Sequence, residues 1–177
     1  YNLHEVNTYI WYDDDFLKNA GIDKSYCEEI INKPTNKYIR DELGLSVLAA
    51  TIQNAKKFSK YGVFEIGTVN IGKKLERQLS IILCDSIKNA PNCYMEMKNI
   101  VQGTIRLSTN CDIRFMEDKP NNLYMDNNTV ISIYVKDTCI GQIGIASLSI
   151  TKKYHKTSMM VIANIYFDQL NTIEKVC

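Results

Sequence analysis

Arginine is scarce in this chain. Four are present, Arg40, Arg77, Arg106 and Arg114, against 17 lysines. The guanidinium fork is the group that bidentate phosphate recognition prefers, so phosphate chemistry has few positions to start from. The lysines say less, because 23 Ile, 17 Lys and 17 Asn together make up about a third of 177 residues, a bias of the whole composition. No sign of charge dominates. Lys+Arg is 21 and Asp+Glu is 20, a formal net charge of +1, which argues against a domain coated for nucleic acid or anionic lipid. No C-x-x-C occurs, and His4 and His155 are distant in sequence from every cysteine, so zinc has no ligand pattern. The six cysteines (27, 84, 93, 111, 139 and 177) come without a signal peptide or a Cys-dense framework and read as reduced thiols of a cytoplasmic protein. No apolar run approaches the roughly 18 to 20 residues that span a bilayer.

Catalytic motifs are missing too. His4-Glu5 has no second histidine four residues on, and no Walker loop or G-x-S-x-G is present. Gly141 and Gly144 fall inside a strand pattern, where they mark a turn or a close backbone approach rather than a phosphate cradle. The scattered thiols suggest no cysteine nucleophile. No catalytic, cofactor-binding or metal-binding residue is therefore assigned.

What remains is a foldable chain. Apolar residues are 45% and charged residues 23% of 20.3 kDa, enough for a core and the size of one domain, taken as residues 1–177. It opens at Tyr1, as an excised piece of a longer protein would. Val6 to Tyr12 alternates as a strand. Asp13, Asp14 and Asp15 then read as cap and first-turn carboxylates of a short helix that Gly21 stops, in preference to a metal site. Cys27 to Ile31 reads as a short strand and 32–36 as a loop. Glu42 to Lys60 is the clearest helix, with Leu45, Leu48, Ile52 and Ala55 on one stripe. Strands follow at Val63–Val69, Leu79–Cys84, Cys111–Phe115, Val130–Val135, Cys139–Leu148 and Met160–Phe167. A helix spans Tyr94–Leu107, and Lys73 to Gln78 is a charged hairpin tip or short loop. The sum is six or seven strands and three helices, an α+β fold on a mostly antiparallel sheet flanked by helices. Arg40, followed by Asp41 and Glu42, reads as a helix-start arginine pairing locally with one of them. Phosphate or carboxylate binding is the other option.

The order of these pieces resembles a known family. Glu5-Val6-Asn7-Thr8-Tyr9 and the short helix ending at Gly21 are similar to the "EVVTYSF…LLEKLG" stretch of the phenylalanine–tRNA ligase β subunit. Asn32-Lys33-Pro34-Thr35, Ile39-Arg40, the long helix and Phe64-Glu65-Ile66-Gly67-Thr68-Val69 follow its "NP…R…SLLPGLL…LFEIGRVF". Glu76-Arg77-Gln78-Leu79 resembles "ERRHLA", Tyr94-Met95-Glu96-Met97-Lys98 resembles "FYDLKG", Ile140-Gly141-Gln142-Ile143-Gly144 resembles "IGxIG", and Phe167-Asp168-Gln169-Leu170 resembles "FELDLDAL". Nearly the whole chain is covered in order. The sequence departs at Leu43-Gly44-Leu45-Ser46, where the family has Leu-Leu-Pro-Gly. It departs again at 126–129, where Pro-Gly-Arg is replaced, and at Ser147-Leu148, where His-Pro is replaced.

The resemblance implies a class II aminoacyl-tRNA synthetase core that is itself catalytically silent. It would scaffold a catalytic α-type subunit during ATP-dependent charging of tRNA. ATP and magnesium belong to the complete complex, tRNA is met only as part of it, and no membrane is involved. The segment Glu42–Val69 would correspond to motif one, which builds subunit interfaces, either with the α-type subunit or in a homodimer. The candidate interface residues are Arg40, Leu45, Leu48, Ile52, Phe64 and Glu65. Silence also agrees with the residues, since no arginine follows Arg114 and lysines lack the bidentate fork. The other reading is a stand-alone divergent paralogue that binds a protein or a small ligand.

Overall fold

Alternating β-branched residues build a seven-stranded sheet in the computed structural model, which describes residues 2–154 and 156–173. His155 and Cys177 lie outside the described residues. The strands are β1 (Leu3–Glu5), β2 (Tyr61–Ile71), β3 (Lys74–Ser86), β4 (Ile113–Glu117), β5 (Ile131–Val135), β6 (Thr138–Ile145) and β7 (Ser158–Tyr166). They lie in the order β1-β2-β3-β7-β6-β5-β4. β1 is parallel to β2, and every other neighbouring pair is antiparallel. The helices are α1 (Asp14–Ala20), α2 (Leu43–Asn54), α3 (Ala90–Thr109), α4 (Leu148–Thr151) and α5 (Phe167–Ile173). The architecture is α+β, a mixed sheet flanked by helices.

The period of two along the strands sorts side chains into two cores. On β3, Ile82 and Cys84 face α1 and α2, while Leu79, Ile81 and Leu83 face α3 and α5. The stripe Leu45, Leu48, Ile52 and Ala55 is at most 3% exposed. Burying each of the three large side chains contributes about 1.5 to 3 kcal/mol. Leu43, Val47 and Thr51 are buried as well, because the sheet and the chain around Tyr12 enclose α2 from two sides. The helix ends at Asn54 rather than Lys60. Beyond Ala55 come exposed Lys56 and Lys57, so the packing that sustains a helix stops there.

Helix α1 is capped as its sequence indicates. The Asp13 carboxylate accepts from Phe16 N at 2.8 Å, and Gly21 closes the helix at φ 72°. Elsewhere local pattern and structure part. Only Leu3–Glu5 pairs as a strand, and Val6 to Tyr12 is tied down one contact at a time, as by Arg40 N to Ile10 O at 2.9 Å. Cys27 to Ile31 forms no strand and keeps a single bridge, Glu29 with Tyr38. The β2–β3 turn is tighter than the expected 73–78 tip. Ile71 pairs with Lys74, and Gly72 and Lys73 both take positive φ, the two-residue turn whose twist matches the flanking strands. Five helices replace the expected three among the described residues, since α4 and α5 are too short to show a helical period. Gly141 is a close backbone approach, as a Cβ there would lie 2.1 Å from Asn164 O on the neighbouring strand.

Candidate functional site

Arg40 stands just ahead of α2, is 3% exposed, and does not pair with its sequence neighbours. Its guanidinium donates to Glu65 Oε1 at 2.9 Å, to Thr8 Oγ1 at 2.7 Å and to Thr68 O at 3.0 Å. Glu65, also 3% exposed, accepts with its other oxygen from Thr8 N at 3.1 Å and Thr8 Oγ1 at 2.8 Å. One ion pair thus joins the amino-terminal segment, the approach to α2 and the centre of β2. The carboxylate and guanidinium satisfy each other in a place that excludes water, where an unpaired charge would be costly. Gly67 completes the arrangement. A Cβ there would meet Arg40 Nη2 at 2.5 Å and Glu65 Oε1 at 3.0 Å.

The expected local partners of Arg40 are held by Lys24 instead. Lys24 is 4% exposed, and its ammonium donates to Asp41 Oδ1 at 2.9 Å, to Glu42 Oε1 at 2.5 Å and to Tyr26 OH at 2.9 Å. Tyr12 OH donates to Asp41 Oδ1 at 2.5 Å and accepts from Glu42 N at 2.9 Å. Burial disfavours ionisation of Asp41, but the hydrogen bonds from Tyr12 and Lys24 outweigh it and hold the carboxyl below its ordinary value. For Glu42 the balance reverses, and burial pushes it up despite Lys24. Burial, reinforced by Asp41, raises the Tyr12 phenol. The same two causes push the Cys27 thiol up to about 12. Glu42 occupies the N-cap without a side-chain cap bond, so distant residues serve the helix end: Leu43 N donates to Gln78 Oε1 on β3 at 3.0 Å.

Beside this helix end a polar row crosses an otherwise apolar sheet. Cross-strand pairing lines up Ser80, Asn164, Gln142 and Ser132, all at most 4% exposed. The chain itself covers the row. Asn121 N donates to Gln142 Oε1 at 2.9 Å, Gln142 Nε2 donates to Lys119 O at 2.9 Å, and Ser132 donates to Asp118 at 2.6 Å. Tyr124, 1% exposed, accepts from Asn164 Nδ2 at 2.8 Å.

The six candidate interface residues separate. Arg40 and Glu65 meet as the buried pair. Leu45, Leu48 and Ile52 share the core above them and present no open face. Phe64 points to the opposite side of the sheet, against the α3 core. Exposed apolar residues of the Glu42–Val69 segment are Phe58 at 56% and Ile66 at 43%. Sequence reading missed Lys24, Tyr12 and Gln78. Nothing distinguished Lys24 among 17 lysines, since its function is fixed by Asp41, 17 positions away.

The groups at this site do not fit ATP with magnesium. Lys24 and Arg40 are already neutralised by Asp41, Glu42 and Glu65, and the polar row offers neutral side chains closed over by residues 118–124. Arg77, Arg106 and Arg114 are exposed and stand elsewhere, with Arg77 against Phe167 and Arg114 donating to Lys136 O at 2.5 Å. Among the described residues no group of three or more His, Cys, Asp and Glu is arranged to hold a metal. No helix of the described residues is long and apolar enough to cross a membrane. No protein-family model and no curated protein matches the chain.

Proposed function

We propose that this chain is the catalytically silent core of a phenylalanine–tRNA ligase β subunit, with a class II synthetase-like fold, scaffolding a catalytic α-type subunit in the cytoplasm. The observation that carries the reading is the Arg40–Glu65–Gly67 junction. Ile39-Arg40 and Phe64-Glu65-Ile66-Gly67 are two separate stretches through which the sequence resembles that family. In space they are one unit: the arginine needs the glutamate as counter-charge and the glycine for room. The sheet, one parallel edge strand beside six antiparallel ones, is compatible with the same reading. Silence is supported by the closed polar row and by the engagement of both buried cations.

The proposed work is assembly, with the α-type subunit or a second copy as partner and tRNA reached only through the complex. Size-exclusion chromatography of the protein mixed with a purified α-type subunit tests this. Co-elution at about 10 µM is expected for a scaffold. Independent elution of the two proteins contradicts the reading and favours the stand-alone paralogue.

A further inference from the structure

A cleft of about 570 Å³ lies between the segment Asn7–Asp13 and helix α2, and two of its polar groups have no partner among the described residues. Ser46 is 8% exposed, and its hydroxyl makes no hydrogen bond to the described residues. The Lys33 ammonium is shielded from water with no hydrogen-bond acceptor among the described residues, and sits 3.1 Å from the centroid of the Trp11 ring. Ring attraction offsets part of the cost of withdrawing that charge but supplies no counter-ion. Every other buried cation described above has a carboxylate within hydrogen-bond distance.

We propose that this cleft binds a small organic carboxylate, with Lys33 supplying the charge and Ser46 a hydrogen bond. The volume suits a ligand of small-metabolite size. Phe16, Leu45, Ala49 and Ala50 give it an apolar wall for the body of such a molecule. A monoanion suits the charge better than a phosphate. Among the described residues Lys33 is the one cationic side chain lining the cleft and no arginine fork lines it, and Asp13 on its rim opposes a second negative charge. An entering carboxylate supplies the acceptor that Lys33 lacks, and Ser46 lines the same cleft. The inference stands apart from the scaffold reading, because it uses neither the Arg40 pair nor any subunit contact.

Trp11 is the single tryptophan of the sequence, so its emission reports on the cleft directly. The protein is titrated with sodium benzoate, sodium hexanoate, sodium phosphate and sodium chloride at matched ionic strength, following Trp11 emission and the heat of binding. Saturable binding of both carboxylates is expected, with chloride silent and phosphate weaker. Lys33→Met weakens carboxylate binding about tenfold or more, and Ser46→Ala about threefold, with the melting temperature recorded for each variant. Absence of saturable carboxylate binding overturns the proposal. So does unchanged affinity in both variants, or phosphate binding as tightly as the carboxylates.

Discussion

Arg40 and Glu65 form an ion pair at 2.9 Å whose side chains are each 4% exposed, so neither charge reaches bulk water. The pair is a structural joint. Changing Arg40 to Ala leaves Glu65 and the Thr8 contacts uncompensated in the interior. A loss of about 3 to 5 kcal/mol in unfolding free energy is expected, measured by urea titration. The double change Arg40→Met with Glu65→Leu is expected to cost clearly less. If the double variant is as damaged as the sum of the two singles, the pair is not coupled.

Gly67 should depend on that arginine. Gly67→Ala pushes a methyl group to within 2.5 Å of Arg40 Nη2, a clash expected to cost about 1 to 3 kcal/mol. In an Arg40→Ala background the same substitution should cost less, because its nearest obstacle is gone while Leu43 Cδ1 at 2.9 Å and Glu65 Oε1 at 3.0 Å remain. Gly141 makes the contrast, since its obstacle is the Asn164 carbonyl of a paired strand, and no side-chain change relieves it. A double-mutant cycle on thermal unfolding measures both.

Leu48 and Ile52 are core residues, at most 1% exposed. Leu48→Ala should lower stability by about 2 to 5 kcal/mol. Any weakening of association should follow that loss of folded protein rather than appear on its own. A folded, fully stable Leu48→Ala variant that fails to associate would return these residues to an interface.

The two carboxylates on Lys24 pull stability in opposite directions with pH. Asp41 lies below its ordinary value of 3.8 in the folded state, so its contribution is present above that pH and is lost as acid protonates it. Glu42 lies above its ordinary 4.5, so its contribution is present below that pH and declines as pH rises through the folded value. Unfolding free energies from pH 3 to 7 should show that Glu42→Gln removes a decline above about pH 4.5, while Asp41→Asn removes a rise near and below about pH 3.8. A Glu42→Gln profile parallel to the parent above pH 4.5 contradicts the assignment.

Thiol reactivity should fall on folding. Burial pushes Cys93 up to about 12, as it does Cys27, and Cys84 is raised by burial as well. Thiolate is the reacting form, so native protein at pH 8 should label these three more slowly than the unfolded protein does. Peptide mapping of the labelled cysteines decides it, and labelling at the unfolded rate counts against the packing described.

Much of the fold was legible wherever the signal is local. The Asp13 cap, the Gly21 stop, the stripe of α2 and the doubly buried strand at Leu79–Cys84 each follow from neighbouring residues. What was illegible depends on distance. Asp41 and Glu42 follow Arg40 in sequence, yet Glu65 takes the arginine because β2 brings it inside, while Lys24 arrives from a loop to take the two acids. The strands expected at Val6–Tyr12 and Cys27–Ile31 have β-like composition, but no neighbour runs alongside them for long enough to form a ladder. Closure of the Ser80–Asn164–Gln142–Ser132 row is a property of the register of four strands and of residues 118–124, which no local pattern records.

Phenylalanine-dependent ATP–pyrophosphate exchange tests the scaffold reading most directly. It is measured on the purified protein, on a purified α-type subunit, and on the two mixed. The account predicts no exchange by the protein alone and stronger exchange by the mixture than by the α-type subunit alone. Exchange by the protein alone, abolished by Arg40→Ala in a folded variant, contradicts it.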